Sequence, residues 1–186
     1  MINDFDGGGL KMIDISSFNK SLKTTWIISG SLEKLLLNSS VLSAIQVFIY
    51  ARDQALFKAL FFAGDRAAGL LKIKVSDILR FPDDSGFLFN HVWTKYLRSG
   101  DANVFAFRLG SNTLVCPVRG LELYFNICKL LGIRLSPGFL CRSVTKSNLV
   151  GPHCLESTAA QGRLKIYTSI LSKQLSSDHF TLHSLS

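Results

Sequence analysis

The chain has 186 residues, 47% of them hydrophobic, and carries 21 Lys/Arg against 13 Asp/Glu for a formal net charge of +8. A mean hydropathy of +0.27 excludes a disordered composition, and the length allows one domain with a short appendage. The charge is uneven: residues 1–33 are net −1 and residues 34–186 net +9, which suits a polyanionic partner such as nucleic acid.

The first nine residues are acidic and glycine-rich, so they do not read as a secretory signal. Residues 17–28 form an amphipathic helix, with Phe18, Leu22 and Trp26 at i, i+4 and i+8. Together with Gly8-Gly9-Leu10-Lys11-Met12, this segment resembles the region after the palm in reverse transcriptases of non-LTR (LINE-like) retrotransposons. Two readings follow: a retroelement remnant, or an N-terminal helix packed on the main domain. The seam is placed at residues 28–31, around Gly30, giving an appendage at 1–31 and a main domain at 32–186.

From Leu32 the pattern is helical. Leu35, Leu36, Leu42, Ile45, Phe48 and Ile49 supply an apolar face, with a break at Asn38-Ser39-Ser40. Leu56, Leu60 and Phe61 continue that face in a second helix, which Gly64 ends. Gln46, Arg52, Asp53 and Lys58 interrupt the apolar runs here, so neither run spans a bilayer. A β region follows over residues 71–79, where Ile73 and Val75 alternate. Pro82-Asp83-Asp84-Ser85-Gly86 is a turn, residues 87–94 a strand, Ser99-Gly100-Asp101 a second turn, and residues 104–109 a third strand. The three make an antiparallel meander.

Pro117 opens a helix and Gly132 closes it, with Leu121, Tyr124, Phe125, Cys128 and Leu131 as the inward stripe. Pro137-Gly138 marks a turn, residues 139–141 an extended piece, and residues 142–153 a surface loop. Residues 157–175 form a further helix with Leu164, Tyr167 and Leu171 inward. Cys116, Cys128, Cys141 and Cys154 contain no C-x-x-C pair and, with His153, no zinc pattern. They read as buried free thiols of a reducing compartment.

Several residues carry a chemical pattern. Gly64-Asp65-Arg66-Ala67-Ala68-Gly69-Leu70 sets an arginine at a helix-to-turn junction. Thr94-Lys95 sets a lysine at the end of the second strand of the meander. Val115-Cys116-Pro117-Val118-Arg119-Gly120-Leu121 begins the next helix, and His183 with Leu185 closes the series. In this order they resemble the catalytic domain of tyrosine recombinases, the phage-integrase-like DNA breaking and rejoining enzymes, and most nearly those of eukaryotic mobile elements. The resemblance covers some 150 residues. It implies an α+β, mainly α fold, a helical catalytic domain with a small three-stranded antiparallel sheet, here lacking its C-terminal helices. It also implies catalytic roles for Arg66, Lys95 and His183, with Lys74 and Arg98 as weaker substitutes for the lysine.

The chemistry of that family explains the residue types. Attack on a phosphodiester gathers negative charge on the non-bridging oxygens. Arginines answer it with planar, permanent donors. Histidine exchanges a proton with the nucleophile, lysine protonates the departing sugar oxygen, and a tyrosine forms the covalent intermediate. The chain departs from the pattern in three places. Gly69 replaces the acid that would orient Arg66, Ser186 stands where the second arginine belongs, and Tyr50, Tyr96, Tyr124 and Tyr167 all precede His183. The expectation is a degenerate recombinase domain for DNA recombination and integration that at most binds DNA. The alternatives are an active strand transferase completed by a further C-terminal segment, and a mobile-element remnant without function. The implied partners are duplex DNA and other recombinase subunits, with no membrane, small-molecule substrate, cofactor or metal. The implied location is nuclear or intracellular rather than secreted.

Overall fold

A computed structural model describes residues 28–32, 36, 42–63, 67–91 and 103–171. These hold five helices and two small antiparallel sheets. Helix α1 is described at residues 28–32, where the seam was expected. These residues are helical, and Ile28 and Leu32 belong to the hydrophobic core.

Helix α2, Ala44–Ala63, is the centre of the molecule. Its start is a capping box. The Ser43 hydroxyl accepts from the Gln46 backbone N–H, and the Gln46 side chain accepts from the Ser43 N–H at 2.9 Å. The expected break at Asn38-Ser39-Ser40 lies outside the described residues, and from Ala44 to Ala63 the helix runs without proline, glycine or a second cap. Residues 51–60 are buried without exception. Over those ten residues the helix is buried on every side and so shows no amphipathic stripe.

Helix α3, Ala67–Leu71, is followed by a 3-10 turn at Val75–Asp77 and then by strand β1, Ile78–Arg80. The expected first strand is thus shorter and later. The Asp77 carboxylate accepts from the Lys74 N–H at 3.2 Å and closes the turn, the usual competition of a short polar side chain with a ladder. The Ile73/Val75 alternation serves a different pairing. Leu140 N–H donates to Ile73 O at 2.8 Å and Val75 N–H to Gly138 O at 2.9 Å, placing this stretch beside the extended residues near Phe139.

Strands β2, Gly86–His91, and β3, Asn103–Arg108, complete the meander in the order β1-β2-β3. Phe87 faces Phe107 and Phe89 faces Phe105, so four phenylalanines share one face of the sheet. Phe87, Phe89 and Phe107 are buried, and Phe89 stacks on Phe105 with ring centroids 4.9 Å apart.

Helix α4, Pro117–Leu130, has proline in its first turn. Gly132, at φ +67°, ends it. The Gly132 N–H donates to Lys129 O and the Ile133 N–H to Cys128 O, a Schellman closure as the sequence predicts. Leu121, Tyr124 and Cys128 are buried as expected, while Phe125 and Leu131 are half-buried. The expected loop at 142–153 is instead a hairpin of β4, Arg142–Val144, and β5, Val150–Cys154. Asn148 at φ 58° turns it, and Thr145 N–H donates to Leu149 O at 2.8 Å. Helix α5 is described over Ser157–Leu171, with Leu164 and Tyr167 buried. Among the described residues, no helix is long and apolar enough to cross a membrane.

Candidate functional site

The residues singled out by pattern, Arg66, Lys95, His183 and Ser186, lie outside the described residues, as do Tyr96 and Arg98. Their flanks are described. Helices α2 and α3 bracket residues 64–66, β2 and β3 bracket residues 92–102, and α5 precedes residues 172–186. Gly69, at the position of the missing acid, lies within α3. Lys74 is exposed beside the 3-10 turn.

The described polar centre of the domain is a buried cluster on α2. Asp53 is fully buried and Arg52 nearly so. Arg52 donates Nε (2.9 Å) and Nη2 (2.7 Å) to Asp53 Oδ1, and Nη1 (2.7 Å) to the carbonyl of Arg142. Asp53 Oδ2 accepts from Arg163 Nε at 2.8 Å and from the Tyr167 hydroxyl at 2.6 Å. The Tyr167 oxygen in turn accepts from Arg163 Nη2. The Asp53 carboxylate therefore ties α2 to α5 with both oxygens satisfied, and Arg52 ties α2 to β4. Burial opposes the charge on Arg163, but the Asp53 carboxylate beside it prevails and raises the guanidinium above its ordinary range. Burial, reinforced by Asp53, raises the Tyr167 phenol.

This cluster is what the sequence reading missed. Arg52 and Asp53 served there only as interruptions of an apolar run. The available signal was stronger: charges in the middle of a helix otherwise apolar all round must be paired. Its partners, some 110 residues away, carry no mark in the sequence.

The arrangement organises structure and offers no nucleophile. Tyr124 is fully buried and donates to Leu140 O at 2.8 Å, and burial first of all holds its phenol well above the ordinary value. Tyr167 is committed to Asp53. Tyr50 lies half-buried against it, ring centroids 6.2 Å apart. The Tyr124 and Tyr167 hydroxyls, raised and already hydrogen-bonded, stay protonated near neutral pH. Burial pushes the Cys128 thiol up to about 11 and the Cys141 thiol up to about 12, so both stay protonated near neutral pH. All four cysteines are free, as the sequence predicts, but Cys154 is half-buried where a buried thiol was expected. Among the described residues no group of three or more His, Cys, Asp or Glu is disposed to hold a metal ion.

Two open clefts flank α4. One of about 310 Å³ lies at its start, lined by Phe62, Phe107, Arg108, Asn112 and Cys116. Another of about 420 Å³ lies at its end, lined by Phe125, Lys129, Ile133 and Arg134. Both combine apolar walls with cationic side chains. Elsewhere the described surface arginines are neutralised: Arg80 pairs with Asp84 at 2.6 Å and with Glu122 at 2.7 Å, and Arg119 with Glu122 at 3.2 Å. No protein-family model matches the chain, and neither does any curated protein.

Proposed function

We propose that residues 32–186 are a degenerate tyrosine-recombinase-like domain that holds duplex DNA through its phosphates and does not complete strand transfer. One observation carries the reading: the order along the chain of the Arg66 motif, a three-stranded meander bearing Lys95 near its β2–β3 connection, the helix opened by Pro117, and His183. The described sheet, β1-β2-β3 between α3 and α4, supports it by supplying the meander where that order requires one. The net +9 over residues 34–186 supplies the electrostatic attraction to a polyanion. In this reading Arg66 clamps the scissile phosphate, Lys95 and His183 flank it, duplex DNA and further recombinase subunits are the partners, and the nucleus is the site of action.

Strand transfer fails for two reasons. Ser186 is short and neutral, and losing one preorganised donor costs about 3–4 kcal/mol of transition-state stabilisation. The packed Tyr124 and Tyr167 hydroxyls are already engaged, so neither replaces a nucleophile. The deciding experiment is fluorescence anisotropy of the purified chain with a labelled duplex at graded salt, with Arg66→Ala alongside. Binding that weakens steeply with salt, and weakens further in the variant, is the expected result. An absence of binding at low salt, or an affinity indifferent to salt, overturns the proposal.

A further inference from the structure

We draw no further inference here: the strongest candidate, the outer face of the three-stranded sheet with its exposed Leu79 and Val104, is an apolar surface unpartnered among the described residues, and nothing in the structure shows what covers it.

Discussion

Asp53 is the residue on which most depends. It is the carboxylate shared by Arg52 and Arg163, and it accepts the Tyr167 hydroxyl. Asp53→Asn leaves two guanidiniums without a counter-charge, one of them almost wholly buried. Breaking such a pair from one side costs about 3–5 kcal/mol. Urea unfolding should show that loss, whereas Tyr167→Phe should cost only about 1–2 kcal/mol because it removes a hydrogen bond and no charge. Equal costs for the two would contradict the role assigned to the carboxylate. The thiols give a prediction in pH. Cys128 and Cys141 ionise near 11 and 12 in the fold, against 9.0 ordinarily. Their folded values are raised, so the stability they add is whole below pH 9. It is lost as pH climbs from there toward the folded values, by roughly 1.4 kcal/mol per unit for each thiol. Stability measured from pH 8 to 11 should bend downward above 9, and Cys141→Ala should lessen the bend.

Two glycines separate the demands of space from those of backbone conformation. Gly86 begins β2, and a Cβ there would lie 2.0 Å from the carbonyl oxygen of Phe107. The obstacle is backbone, so it cannot rotate away. Gly86→Ala should part β2 from β3 at a cost of about 1–3 kcal/mol or more. Gly132 has open space around it but sits at φ +67°, so Gly132→Ala meets only the left-handed penalty of about 1–2 kcal/mol. Thermal melts of the two variants should rank them in that order, and amide exchange should report loosening in β3 for the first alone. The element boundaries were legible where a local signal marks them. Pro117 and Gly132 delimit α4 because a missing N–H and a positive φ are properties of single residues. Helix α2 lacked such marks across its middle. The β4–β5 hairpin was hidden because Gly151 and Pro152 weaken its strand signal and its turn rests on Asn148 rather than on an Asn-Gly pair.

At the scale of the whole molecule, charge and chemistry make separable predictions. A chain of net +9 over residues 34–186 should release DNA as salt rises, with little preference for sequence, since phosphate contacts carry none. Retention on unrelated duplexes at low and high salt checks this. A nicked suicide duplex, which traps phosphotyrosyl intermediates, should give no covalent band. Ser186→Arg alone should not create one, because a clamp for the transition state does not supply a nucleophile. A band that disappears on changing Tyr50 or Tyr96 to phenylalanine would count against the assignment of inactivity.

What the sequence determined by itself was whatever depends on neighbours along the chain. The alternation in β2 and β3, the turn at residues 82–86, the helix between Pro117 and Gly132 and the free cysteines all belong to that class. Arg66, Lys95 and His183 were singled out by a resemblance of motifs, and they lie outside the described residues. Tertiary structure decided what depends on residues far apart. Only the packing of α5 and β4 against α2 reveals why Arg52 and Asp53 sit inside a helix buried on all sides. Asp53 meets Arg163 and Tyr167 across more than 100 residues. The same packing made Ile73 and Val75 partners of the stretch near Phe139 instead of strand residues in the meander. The physical reason is common to both: alternation and capping act over a few residues, whereas a buried charge or an extended backbone must find its counterpart wherever the fold brings one.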